Sequence, residues 1–122
     1  MGPEATVQRQ LDAYNAHDLE ALMAVYAGDA RQFEHPAKLL ADGAAQIRAR
    51  FAARFTEPNL HAQLLQRMVV GNVVIDQELV TRTFPEGPGT IELAAIYEVQ
   101  NGRIANAWFI PGARKLAAQP CP

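Results

Sequence analysis

The stretch from Val69 to Ile110 reads VVGNVVIDQELVTRTFPEGPGTIELAAIYEVQNGRIANAWFI. It contains three glycine-centred turns, at Gly71-Asn72, Gly87-Pro88-Gly89 and Asn101-Gly102. Each turn separates runs rich in β-branched and aromatic residues, a pattern typical of β-hairpins. Four antiparallel strands are therefore predicted, near residues 60–70, 73–84, 90–100 and 103–111. Because sheets twist, strands of this length curve, and one face of the sheet can enclose a pocket.

The first half of the chain is predicted to be mainly helical. Val7, Leu11 and Tyr14 recur at helical spacing, and Asp18 is a suitable N-cap for a second helix. The first predicted helix spans 4–16, and the second runs from Asp18 to Gly28 with Tyr26 on its buried face. A strand over 31–35 then ends at Pro36. A third helix is capped by Asp42 and ends at Pro58. Arg48, Arg50 and Arg54 of this last helix are expected to face water. Helices segregated from an antiparallel sheet predict the α+β class.

Composition is that of an ordinary globular domain. The 122 residues suit a single domain, with a core over about 4–111 and loosely held ends at 1–4 and 113–122. The net charge of −2 and the lack of a basic stripe argue against nucleic acid as a partner. The single Cys121 cannot form an internal disulfide. No leader pattern or membrane-length apolar run occurs, so a cytoplasmic protein without membrane contact is expected.

The strand over 73–84 has a charged side and an apolar side. Alternation places Asp76, Glu78 and Arg82 on one face. From this strand alone, the charged side would face solvent. The neighbouring strands carry apolar residues on both faces, which indicates helices on one side of the sheet and a second subunit on the other. A homodimer through the sheet is therefore expected.

Several segments of the chain resemble the nuclear transport factor 2-like superfamily. They are LDAYNAHDLEAL (11–22), YAGDA (26–30), FEHP (33–36), Gly43 with Ile47 and Phe51, Gly71-Asn72, and YEVQNGRI (97–104). Within that superfamily, the sequence most resembles the SnoaL-like and ketosteroid isomerase-like branch. This resemblance implies a cystatin-like cone, in which a curved antiparallel sheet wraps around three N-terminal helices and encloses a hydrophobic pocket for a small organic ligand. The fold hosts isomerases, cyclases, hydrolases, dehydratases and non-catalytic binders, so it leaves the reaction open.

The resemblance also implies functional positions. In ketosteroid isomerases a carboxylate base precedes the proline that ends the first strand, and His35 occupies that position here. The oxyanion tyrosine of those enzymes corresponds to Gln10, and their second oxyanion donor, a protonated aspartate, corresponds to Ala95. These differences argue against steroid isomerisation by that mechanism.

The same alignment places Asp76, Glu78 and Arg82 on the pocket side of the sheet, which reverses the interpretation from the strand alone. His35 is predicted to be the catalytic acid–base residue, because imidazole titrates near neutral pH. Asp76 is predicted to orient the His35 ring. The structural alternatives are a histidine held by backbone hydrogen bonds at a strand end and an ion pair at the pocket mouth.

Ligand contacts are predicted for a wider set of residues. The set comprises Gln10, Tyr14, Phe51, Glu78, Arg82, Tyr97 and Trp108. Gln10 and Tyr14 would offer neutral donors to a developing oxyanion, and Arg82 could bind a substrate carboxylate. For the aromatic members, packing in the core is the structural alternative.

The predicted function is isomerase, cyclase or lyase chemistry on a small organic ligand, with His35 as general acid–base. The alternative is a non-catalytic ligand-binding or assembly module of the same fold. His17, His35 and His61 lack the spacing of a ligand set, so no metal is expected. The chain has no glycine-rich nucleotide motif, so no cofactor is predicted.

Overall fold

A computed structural model of the protein describes residues 2–117. The helices are α1 (Pro3–Asn15), α2 (Leu19–Met23) and α3 (Ala44–Arg54), and the strands are β1 (Tyr26–Glu34), β2 (Lys38–Asp42), β3 (His61–Val70), β4 (Val73–Phe84), β5 (Gly87–Gln100) and β6 (Arg103–Leu116). One curved sheet has the order β2-β1-β6-β5-β4-β3 and is antiparallel except between β1 and β6. Helix α1 packs on β3 to β6 and α3 packs on β1 and β2. The predicted α+β class is confirmed.

The helices form where local sequence signals agree with burial. Val7, Leu11 and Tyr14 of α1 are buried against the sheet, as their spacing predicts. Asp18 caps α2, since its Oδ1 accepts a hydrogen bond from the Ala21 N–H at 3.1 Å. Among residues 2–117, no helix combines the length and the apolar character needed to cross a membrane. The predicted cytoplasmic location stays a prediction.

Three features of the first half differ from the prediction. Tyr26 begins β1 instead of ending a helix, and the short strand β2 was not predicted. Helix α3 begins after Gly43, whose φ of +91° suits a residue without a side chain, and Asp42 is not its cap. The carboxylate of Asp42 is instead engaged by Arg31, at 3.2 Å across the β1–β2 pair.

The hairpin turns follow the predicted pattern in two of three places. Gly71 has a φ of +58°, and Asn101 and Gly102 both have positive φ values, as a type I′ turn requires. The middle turn is shifted, because Phe84 pairs with Gly87 and the loop is Pro85-Glu86. Residues 87–89 belong to β5.

The ends of the described chain are part of the fold. Pro3 begins α1, and β6 continues to Leu116 beside Gly89 of β5. The prediction of loose ends was therefore wrong for these positions. Cys121 lies outside the described residues.

The charged side of β4 faces the helices. Asp76 and Glu78 are 0% and 4% exposed, and Val74 and Val80 on the same face are equally buried. The interpretation from the strand pattern alone was thus wrong, and the facing implied by the family resemblance is correct. Two carboxyl groups are consequently placed inside the concave side of the sheet.

Candidate functional site

A cavity of about 380 Å³ lies between the concave face of the sheet and the helices α1 and α3. This volume falls in the range of small-molecule sites. Its apolar and aromatic lining is Leu11, Tyr14, Leu40, Phe51, Ala62, Val80, Ile91, Leu93, Tyr97, Phe109, Pro111 and Gly112. Its polar lining is Gln10, Gln32, Glu34, Arg50, Arg54, Glu78, Arg82 and Arg114. The cavity therefore combines apolar walls with an excess of guanidinium groups.

Glu78 is the most strongly perturbed carboxyl group of the cavity. Burial raises its pKa to about 7, the negative charge of Asp76 adds to the shift, and Arg67 opposes it. Within residues 2–117, no hydrogen bond contributes to this shift. A carboxyl group with a pKa near neutrality can both accept and return a proton at physiological pH.

Asp76 lies on the same face of β4 but does not line the cavity. Its two oxygens accept hydrogen bonds from Arg67 of β3, Oδ1 from Nε at 2.7 Å and Oδ2 from Nη2 at 2.9 Å. Arg67 Nη1 also donates to Gln8 Oε1 of α1 at 2.8 Å. The Asp76 carboxylate is thus fully engaged, and it acts on Glu78 through its charge.

His35 lies outside the cavity, at the exposed turn after β1. Its backbone N–H donates to the Phe109 carbonyl at 2.8 Å. Because side chains alternate along β1, Gln32 and Glu34 line the cavity instead. The predicted meeting of His35 and Asp76 in one enclosed site was therefore wrong.

Six of the seven predicted ligand-contact residues line the cavity. They are Gln10, Tyr14, Phe51, Glu78, Arg82 and Tyr97. Trp108 lies instead on the opposite face of the sheet, where its ring stacks on Phe33 at 5.9 Å. A role for the six in binding a ligand stays a prediction.

Two buried phenols accompany Glu78. Burial raises the pKa of Tyr14 and of Tyr97, and the charge of Glu78 raises both further. For Tyr14, the nearby Arg54 opposes the shift without cancelling it. Both hydroxyls are therefore protonated at neutral pH and can donate a hydrogen bond to a ligand oxygen.

The arginines of the cavity were largely missed by the sequence prediction. Arg50 and Arg54 of α3 line the cavity, although they were expected to face water. A signal was present, because Ile47, Arg50, Phe51 and Arg54 have the i, i+3, i+4, i+7 spacing of one helix face. Their long side chains carry the charge from that face into the cavity.

Arg82 and Arg54 share one carboxylate, that of Glu57. Arg82 Nη2 lies 2.6 Å from Glu57 Oε2 and its Nε lies 3.2 Å from Oε1, while Arg54 Nε lies 3.8 Å from Oε2. Arg82 also lies 5.6 Å from the ring centre of Phe84, which Arg114 approaches at 4.6 Å. Arg82 is therefore held by protein groups and is not free to bind a ligand carboxylate alone.

A family model described as SnoaL-like domain matches residues 7–107. The chain belongs to the SnoaL-like domain family. The match covers both carboxyl groups of β4, the helices α2 and α3, and α1 from Val7 onward, and the expected superfamily is thereby confirmed. A comparison with curated proteins finds no match.

Solved structures share the fold over almost the whole chain. An uncharacterised cystatin-fold protein from Novosphingobium aromaticivorans has 25% identity, a TM-score of 0.83, and coverage of 90% of this chain and 98% of its own. A candidate polyketide cyclase from Sinorhizobium meliloti has 25% identity, a TM-score of 0.71, and coverage of 86% and 93%. A protein with a ketosteroid isomerase-like fold from Catenulispora acidiphila, in complex with trimethylamine, has 17% identity, a TM-score of 0.76, and coverage of 92% and 88%. At 17% identity, the similarity to the Catenulispora acidiphila protein supports the fold and not a shared function.

The described part of the chain contains no cluster of metal-ligating residues. Among residues 2–117, no group of three or more histidine, cysteine, aspartate or glutamate residues could hold a metal ion.

Proposed function

We propose that the protein is an enzyme that moves a proton on a small organic substrate, with Glu78 as its general acid–base and without a cofactor. The observation that carries this proposal is the buried Glu78 carboxyl, whose pKa is about 7, in the lining of a ligand-sized cavity. Perturbed carboxyl groups in clefts are candidates for such a role. Glu78 takes over the role that the sequence prediction gave to His35.

The chemistry follows from the groups around Glu78. Ionised Glu78 takes a proton from a carbon next to a substrate carbonyl, and the electron pair of the broken C–H bond moves onto the carbonyl oxygen. The hydroxyls of Tyr14 and Tyr97 donate hydrogen bonds to that oxygen as its negative charge develops. Protonated Glu78 then returns the proton to another position, which gives isomerisation, or to a leaving oxygen, which gives a lyase reaction. The candidate assignment of the Sinorhizobium meliloti relative to polyketide cyclases is in line with carbonyl chemistry of this kind.

The test is exchange of substrate hydrogen with solvent deuterium. We expect the protein to accelerate deuterium incorporation into at least one compound of a panel of 1,3-dicarbonyl compounds and β-keto esters in D₂O, followed by mass spectrometry. The Glu78→Gln variant should lose at least about a hundredfold of this rate, since general acid–base catalysis contributes that much or more. Glu92→Gln, an exposed site on β5, is the matched control and should keep the wild-type rate.

Equal rates in the wild type and in Glu78→Gln would contradict the proposal. Binding of the panel without any exchange would favour the alternative predicted from the sequence, a non-catalytic ligand-binding module. The comparison uses identical buffer concentrations, because carboxylate buffers also exchange acidic C–H groups.

We also infer that the protein forms a homodimer through the convex face of the sheet. Cross-strand pairing aligns Met68, Ile75, Ile96, Trp108 and Phe33 in one row across five strands. All five are at least partly exposed, and Met68 is 52% exposed. A contiguous apolar row of this kind on a sheet face is typical of a protein–protein interface. A second copy of the chain presents the same row and can pair with it about a two-fold axis.

Ile96→Glu, at the centre of this row, is expected to convert the dimer to a monomer, because it places two charges within the buried contact. Analytical ultracentrifugation at two protein concentrations measures the change. Leu116→Glu is the control, since Leu116 is exposed near the end of β6 and lies outside the row. A wild-type monomer at both concentrations would refute the interface.

A further inference from the structure

Arginines outnumber acidic residues in the lining of the cavity. Arg50, Arg54 and Arg82 all line it, and Arg54 and Arg82 share the single carboxylate of Glu57. Glu34 contributes one more carboxylate to the lining, and no ion pair involves it within residues 2–117. In the lining as a whole, four guanidinium groups (Arg50, Arg54, Arg82 and Arg114) therefore face two carboxyl groups, those of Glu34 and Glu78.

Among the four arginines that line the cavity, Arg50 is the one without an ion pair to any residue of 2–117. Its side chain is partly buried. A partly buried guanidinium without a counter-ion is unfavourable, and burial together with the neighbouring Arg54 and Arg82 lowers its pKa. The guanidinium remains charged, because arginine does not lose its proton in proteins.

The orientation of Arg50 is fixed by a buried amide. Its Nη1 donates to Gln32 Oε1 at 2.5 Å, and Gln32 is fully buried. Gln32 Nε2 in turn donates to the Tyr26 hydroxyl at 3.4 Å. One of the five guanidinium N–H groups is thus used for positioning, and others remain for a ligand. Such a preoriented fork suits a planar carboxylate, which accepts two parallel hydrogen bonds.

The geometry points to a substrate that carries a carboxylate group, which Arg50 binds inside the cavity. This inference rests on the proposed function, in that the carboxylate belongs to the molecule on which Glu78 acts. Arg50 lines the cavity from α3 and Glu78 lines it from β4. A substrate that spans it presents its carboxylate to Arg50 and its reacting carbon to Glu78.

Matched acid and amide probes test this inference. Isothermal titration calorimetry compares benzoate with benzamide, 2-naphthoate with 2-naphthamide, and inorganic phosphate. Wild-type protein should bind at least one of the two carboxylates about tenfold to a hundredfold more tightly than its amide, as expected for a charge-assisted pair. Arg50→Gln should remove this preference, and Arg50→Lys should keep part of it.

Arg48→Gln is the control on the same helix. Arg48 is exposed and pairs with Glu20 outside the cavity, so its loss should leave the preference unchanged. Circular dichroism confirms that each variant is folded. An unchanged acid-to-amide ratio in Arg50→Gln, no preference in the wild type, or tighter binding of phosphate than of either carboxylate would overturn the inference.

The Glu78→Gln variant separates this inference from the proposed function. It should lose deuterium exchange and keep the preference for carboxylates. If exchange depends on Glu78 while the carboxylate preference does not depend on Arg50, the substrate class is wrong and the proton transfer stands. If the reverse holds, the site binds carboxylates and the catalytic role of Glu78 is wrong.

Discussion

Replacing Arg67 with methionine is expected to lower the free energy of unfolding by about 3–5 kcal/mol at pH 7. Methionine keeps the apolar stem of the side chain but removes both hydrogen bonds to Asp76. Asp76 is fully buried and would be left with an uncompensated charge beside Glu78. Urea-induced unfolding, followed by fluorescence of Trp108, measures the loss.

Two further variants show whether the cost comes from a stranded charge. Arg31→Met breaks the pair with Asp42. Both side chains of that pair are at least half-exposed, so the substitution should change the free energy of unfolding by less than about 1 kcal/mol. The double variant Arg67→Met with Asp76→Asn removes both charges and should recover a large part of the stability. If Arg67→Met costs no more than Arg31→Met, the Asp76 charge does not depend on Arg67 for its stabilisation.

This ion pair illustrates what the sequence could have predicted. Counting outward from the Gly71-Asn72 turn pairs Val70 with Val73, and the same register places Arg67 opposite Asp76. An arginine opposite an aspartate is a favourable cross-strand pair. The hairpin prediction therefore already contained the partner of Asp76, and the assignment of Asp76 to His35 overlooked it.

The elements were predictable where periodicity and turn residues agree. The long strands β4 and β6 and the helix α1 satisfy both, and their existence was predicted correctly. The strand β2 has only five residues and pairs with β1, and a local sequence pattern does not reveal that pairing. Local signals thus predicted the long elements and missed the short one.

The site was harder to predict because it depends on which side of the sheet is enclosed. Alternation along β4 places Glu78 and Leu79 on opposite faces of the sheet, but it does not indicate which face the helices cover. Only the family resemblance supplied that choice. The pKa of Glu78 depends on burial by α1 and on the charge of Asp76, and both arise from packing between distant segments. The same limit explains His35, since the turn after β1 carries its ring away from the cavity.

Glutamine at position 78 is expected to be more stable than wild-type glutamate at high pH and equally stable at low pH. The pKa of Glu78 is about 7 in the folded protein and near 4.3 in the unfolded chain, so the folded state holds the proton more tightly. Wild-type stability therefore falls as the pH rises from about 4.5 to about 7. The separation between the two pKa values corresponds to about 4 kcal/mol, and Glu78→Gln should exceed the wild type by about that amount at pH 8.

Urea titrations at several pH values between 4 and 8 measure this difference, and the comparison of two proteins cancels groups that titrate in both. Glu92→Gln should show a difference near zero throughout, because Glu92 is exposed. A constant difference between wild type and Glu78→Gln across the range would mean that Glu78 titrates as an ordinary surface carboxyl. The expected gain in stability is the counterpart of the expected loss of exchange, since one buried carboxyl group causes both. A carboxylate that destabilises the fold at neutral pH and lines a ligand-sized cavity is best explained by a function that requires its charge.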